Sequence, residues 1–159
     1  MSLKVALADP DQPGATHRAV EALALKTVGA KLFTLMVLDH GRGVAWRCHT
    51  NWPDAYPASG EKPMLQNAWS KRVIERRETF VANTIDEIAA VFPDHELIQS
   101  LGCQSCLNLP VIVGGKVIGT VNFLHEAGFY TPERVAGADA LSEPAALALI
   151  LTLLLKDAP

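Results

Sequence analysis

Residues Gly102 to Glu126 read GCQSCLNLPVIVGGKVIGTVNFLHE. Two apolar, β-branched runs flank Gly114–Gly115, the pattern of two strands joined by a tight turn. Within the second run Thr120 and Asn122 share a face by parity. Whether Asn108 joins them depends on register. A two-residue Gly114–Gly115 turn opposes Leu107 to Asn122 and puts Asn108 on the other face. A three-residue Gly114–Lys116 loop opposes Asn108 to Asn122, and leaves Leu107, Leu109, Val111, Val117, Val121 and Phe123 on a uniformly apolar face. The second register is preferred for that apolar face, although Gly-Gly favours the tighter turn.

Moving outward, Gly102 ends a helix expected over Asp94–Leu101, and Thr84 with Glu87 forms a capping box for a helix to Val91. A strand is expected over 79–83 and a helix over Met64–Arg77. Upstream, 52–63 is a long loop with three prolines, a length that often marks function. Ala30–Asp39 reads as a buried strand, HGRG as a turn and Val44–Asn51 as its antiparallel partner. Ala15–Thr27 is helical, and 1–13 reads as a loose lead-in. After the quoted stretch, Thr131-Pro132-Glu133 opens a last helix to Lys156, which Pro144 is expected to kink or split. The order places two hairpins around a helical excursion. That is an α+β architecture with a central antiparallel sheet of about five to six strands. The N- and C-terminal helices cover one face, and the helical excursion, with a ligand pocket, covers the other. Residues 14–156 form one domain.

With 159 residues, 49% of them hydrophobic, the chain can bury a sizeable core. A net charge of −3 argues against nonspecific nucleic-acid binding. No signal-peptide pattern opens the chain, and the longest apolar run, from Ala145, is about half of a membrane span. Three cysteines make no disulfide framework. The expected setting is a reducing cytoplasm, with no membrane partner.

The stretch SCLNLPVIVGGKVIGTVNFLHEAGFYTPERVAGADAL resembles the GAF domain, a small-molecule sensor module with a PAS-like fold. Ser105, Leu109-Pro110, Gly115, Ile118-Gly119, Phe129 and Glu133 fill positions typical of that family, and ETFVANTIDE resembles its strand-then-helix step. The resemblance covers roughly residues 14–155. It implies a binding module acting in signal transduction more than an enzyme, which stays open, with a ligand or cofactor that it does not name. It departs from the cyclic-nucleotide-binding subset, because Asn108 is followed by Leu109 and Glu133 by Arg134. Cys48-His49 lies too far upstream to match the tetrapyrrole-attaching pair.

For Cys103 and Cys106, structural, redox and metal readings compete. Strand parity sends the two to opposite faces, which hinders both a disulfide and shared metal ligation. No metal site is assigned. Some GAF proteins reduce free methionine-(R)-sulfoxide with cysteines around the pocket, so Cys48, Cys103 and Cys106 are the candidates for an alternative reading as a cysteine-dependent reductase. The candidate ligand-binding residues are Asn108, Thr120 and Asn122 as a hydrogen-bonding cluster, with Trp46, Trp69 and Tyr56 as an aromatic wall or lid near Trp52. Arg47 or Lys62 offers charge to an anionic ligand. His125 is either a ligand contact or a strand-end histidine. The helix AALALILTLLL is apolar nearly all round, so a homodimer through the terminal helices is expected. An unidentified output protein would read the ligand-dependent state.

Overall fold

The computed structural model describes residues 1–58 and 60–156. Its elements run in chain order as α1 (Leu3–Leu7), α2 (Gly14–Thr27), β1 (Leu32–Asp39), β2 (Val44–Thr50), β3 (Lys62–Pro63), α3 (Ala68–Ser70, continuing as a π-helical turn, Lys71–Glu75) and β4 (Phe80–Ala82). They continue as α4 (Ile85–Ala89), α5 (His95–Ser100), β5 (Ser105–Val113), β6 (Lys116–His125), α6 (Pro132–Gly137), a 3-10 turn (Ala138–Leu141) and α7 (Ser142–Leu155). Six antiparallel strands form one sheet in the order β3-β2-β1-β6-β5-β4. The architecture is α+β, as the sequence indicates.

The sheet buries both faces. On one, Phe33, Leu35, Val37, Leu107, Leu109, Val121 and Phe123 pack against Val20 and Ala24 of α2 and Ala145, Ala148 and Leu149 of α7. These are the apolar positions that alternation assigns to one side. On the other, the excursion from α3 to α5 packs Ile88 and Ile98 on Leu32, Cys106 and Leu124, and Trp69 beside Val73 and Val91.

Four details differ from expectation. The lead-in is not loose: α1 is capped by Ser2, and its Ala6 packs on Ala15 and Ala19 of α2. The β5–β6 hairpin pairs Asn108 with Asn122, yet it turns through only Gly114–Gly115, both at positive φ. A bulge reconciles the two, because Val111 opposes Gly119 while Ile112 opposes Val117, leaving Ile118 as the extra residue. The third detail is the helix expected from Met64. It starts only after Asn67, whose side chain accepts the Trp69 and Ser70 backbone N–H while Ser70 Oγ accepts the Asn67 N–H. The fourth is the position of the break in the last helix: the helix is split as expected, but in the 3-10 turn Ala138–Leu141, and Pro144 follows in the first turn of α7. Together Pro132–Leu155 make 24 helical residues, long and apolar enough by composition to cross a membrane, but Ala145, Ala148 and Leu149 are fully buried in the core.

Candidate functional site

A cavity of about 200 Å³ lies between the sheet and the excursion. Its floor is the sheet face carrying Thr34, Met36, Leu38, Asn108, Asn122 and Leu124, and its roof includes Trp69, Ile74, Phe92 and Ile98. Alternation explains the floor, because residues two apart on β1, β5 and β6 point to the same side.

The polar part of the floor is one chain of hydrogen bonds. Trp69 Nε1–H donates to Asn108 Oδ1 at 3.0 Å, Asn108 Nδ2 donates to Asn122 Oδ1 at 2.8 Å, and Asn122 Nδ2 donates to Thr34 Oγ1 at 3.2 Å. All four side chains are buried. The cluster expected from the sequence therefore forms around Asn108 and Asn122, but its third member is Thr34 on β1, not Thr120. Thr120 is fully buried between Met36 and Pro110, does not line the cavity, and its hydroxyl is the one buried side-chain polar atom without a partner among the described residues.

The aromatic residues divide. Trp69 roofs the cavity and packs edge-on to Phe92 with ring centroids 5.9 Å apart. Tyr56, from the long loop, donates its hydroxyl to Asp94 Oδ2 at 2.5 Å and lies under the Arg47 guanidinium, 3.6 Å from its ring centroid. Burial first, and Asp94 beside it, push the Tyr56 phenol well above its ordinary range. Asp94, expected as a helix cap, makes no capping bond and holds this tyrosine instead. Trp46 touches the cavity edge, but its ring packs against the terminal-helix core and carries Lys156 Nζ 4.0 Å above it. Trp52 is exposed. Four aromatics thus do not form one lid. His125 stacks on Phe129 at 3.5 Å, away from the cavity.

The cysteines do not converge. Cys48 is the extra residue of a bulge in β2, where Leu35 opposes His49 and Met36 opposes Arg47, and it packs with the terminal-helix core. Cys103 and Cys106 share one apolar cluster on the excursion side, contrary to the parity argument. Cys103 precedes β5, and its N–H closes the end of α5 on Ile98 O, so strand alternation does not apply to it. Burial raises all three thiol pKa values, Cys48 and Cys106 to about 12, and so keeps the nucleophilic thiolate scarce at neutral pH. No group of three or more His, Cys, Asp or Glu among the described residues is placed to hold a metal ion.

Sequence reading missed Thr34, Met36, Phe92 and the part played by Asp94. Thr34 carried a usable signal, as the only hydroxyl in an otherwise apolar strand. Asp94 carried none, because its partner Tyr56 lies 38 residues away.

No curated protein matches the chain. Among solved structures, a GAF domain of a two-component sensor histidine kinase from Bacillus halodurans superposes with a TM-score of 0.73 at 13% identity, covering 92% of this chain and 99% of that one. A GAF domain from a phosphoenolpyruvate-protein phosphotransferase of Coxiella burnetii gives 0.67 at 16% identity, covering 96% and 89%. A free methionine-R-sulfoxide reductase from Neisseria meningitidis, solved with its substrate, gives 0.65 at 14% identity, covering 96% and 86%. These likenesses show the fold. The GAF domain model itself matches residues 13–150, nearly the whole chain, and on that match the protein belongs to the GAF domain family.

Proposed function

We propose that this protein is a sensor that binds a small metabolite between the sheet and the helical excursion and reports occupancy to an output element outside this sequence. GAF domains are small-molecule-binding signalling modules. The observation that carries the reading for this chain is the cavity floored by Asn108, Asn122 and Thr34, a small set of placed polar groups among apolar walls. Tyr56, from the segment after β2, lines the cavity and holds Asp94, so a ligand that favours one position of Tyr56 shifts the population. The proposed setting is the cytoplasm.

The same reading includes a homodimer through the terminal helices. Leu153, Leu154 and Leu155 of α7 and Val5 of α1 are exposed, more apolar surface than covering the sheet requires. Native mass spectrometry of the protein as purified, followed by a thermal-shift screen of metabolites, tests binding and dimer together. A bound metabolite or a saturable rise in Tm supports the sensor; no bound mass and no shift across a broad metabolite set defeats it.

The fold shared with a free methionine-R-sulfoxide reductase supports a second reading, a cysteine-dependent reductase of a small oxidised substrate. Its test is turnover of free methionine sulfoxide by the wild type and by C48S, C103S and C106S. Activity abolished by one of these changes establishes it, and absent or indifferent activity removes it.

A further inference from the structure

The direction of the hydrogen bonds on the cavity floor selects the chemistry of the ligand. Each amide in the chain uses its oxygen as an acceptor: Asn108 Oδ1 takes the Trp69 indole N–H and lies 3.9 Å from the Cys106 thiol, and Asn122 Oδ1 takes one Asn108 Nδ2 hydrogen. Thr34 Oγ1 accepts in turn from Asn122 Nδ2. An amide nitrogen carries two hydrogens and a hydroxyl one. That leaves one hydrogen on Asn108 Nδ2, one on Asn122 Nδ2 and the Thr34 hydroxyl hydrogen, and among the described residues none of the three meets an acceptor. Buried donors left unmet are costlier and rarer than spare lone pairs on an oxygen that already accepts one bond. The floor therefore offers donors and asks for an acceptor.

The charged groups on the cavity wall point the same way. Arg47 and Lys62 line it, Arg47 with its guanidinium over the Tyr56 ring and donating to Pro57 O, and the one lining carboxylate among the described residues, Asp94, already accepts the Tyr56 hydroxyl. The walls elsewhere are Met36, Met64, Leu65, Ile74, Phe92 and the Trp69 ring. A volume of about 200 Å³ is below that of drug-sized pockets and suits a body no larger than one ring or a short branched chain. An amine would meet donors on the floor and net positive charge on the wall. Neutral hydrocarbon would leave all three floor hydrogens unmet.

We propose that the ligand is a small carboxylate with an apolar body, its carboxylate oxygens accepting from Asn108 Nδ2, Asn122 Nδ2 and the Thr34 hydroxyl. This rests on the sensor reading of the same cavity and names the ligand class for it. Binding forms hydrogen bonds only; no covalent step is involved.

The test is calorimetric titration of the full chain with matched series that keep the body and change the head group: phenylacetate, phenylacetamide, phenethylamine and ethylbenzene, and 4-methylpentanoate with its amide and amine. The expected order is acid tighter than amide, with amine and hydrocarbon unbound. Thr34→Val, nearly isosteric, removes one donor and should weaken the acid roughly tenfold, while Asn122→Asp replaces a donor by a negative acceptor and should abolish acid binding. Each variant's thermal melt must remain cooperative, and the two substitutions differ enough that both failing to fold is itself a loss for the proposal. Amine or hydrocarbon binding as tight as acid, or acid affinity unmoved by either variant, overturns the carboxylate assignment while leaving the sensor reading intact. No binding by any member of either series overturns the carboxylate assignment, and the metabolite screen separately decides the sensor reading.

Discussion

The indole N–H of Trp69 lies 3.0 Å from Asn108 Oδ1, so the roof of the cavity is hydrogen-bonded to its floor. Trp69 is held in place from behind by the Asn67–Ser70 capping box, and the helix then relaxes into a π turn before Arg77 ends it at φ 59°. This one bond ties two walls of the cavity together, since both residues line it. Trp69→Phe should remove it, orphan the Asn108 oxygen and leave a void, lowering stability by about 2–4 kcal/mol in urea denaturation. Trp69→Phe together with Asn108→Leu should cost less than the sum of the two single changes, because both act on the same bond.

A separate polar cluster sits on the opposite layer. His17 is 4% exposed, and its Nε2–H donates to Thr152 Oγ1 at 2.8 Å, since the Thr152 hydroxyl itself donates to Ala148 O. His49, 5.4 Å away ring to ring, is held by Glu21. Burial first, then the His49 and Arg18 charges, lower the His17 pKa from 6.5 to about 4. Above pH 6.5 His17 is neutral folded and unfolded. Between 6.5 and 4 the unfolded chain takes up a proton that the folded chain refuses, so stability falls as pH falls, by about 3 kcal/mol over the whole window. Equilibrium unfolding from pH 7 to 4 should show this slope, and His17→Gln, which keeps a donor for Thr152, should flatten it. A slope unchanged in the variant would assign the loss to other groups.

Gly119 is required by a close approach. A Cβ there would lie 2.1 Å from Met36 O on the neighbouring strand and 2.5 Å from Leu149 Cδ1 of α7. The backbone contact cannot be relieved by a rotamer change. Gly119→Ala should therefore cost about 3 kcal/mol or more, and circular-dichroism melts would read it as a large fall in Tm. Gly128→Ala, where a Cβ meets nothing within 4 Å but φ is +73°, should cost only about 1 kcal/mol.

The raised thiol pKa values predict silence toward alkylation. In the folded protein at pH 8, Cys48, Cys103 and Cys106 should react with iodoacetamide far more slowly than a free thiol, and all three should label together on unfolding in urea. Fast labelling of one cysteine in the native state would mark it as reactive and would strengthen the reductase reading.

Legible in the sequence were both long hairpins, the sheet covered on two faces and the order of elements apart from α1 and β3, while the register that pairs Asn108 with Asn122 was left between two choices. Those follow from local physics: apolar alternation, glycine turns, and caps such as Thr84 with Glu87 and Thr131 before Pro132, all of which act within a few residues. How the pieces are offset follows from long-range packing. The bulges at Ile118 and Cys48 shift register without leaving a composition signal, so a two-residue turn coexists with the asparagine pairing, and Trp46 and Cys48 end on the terminal-helix side. It also decided who completes the site. Thr34 displaces Thr120, and Tyr56 takes Asp94 from its expected cap, because strand neighbours and loop contacts are set by the distant packing of β1 against β6 and of the long loop against α5, which no window along the chain contains.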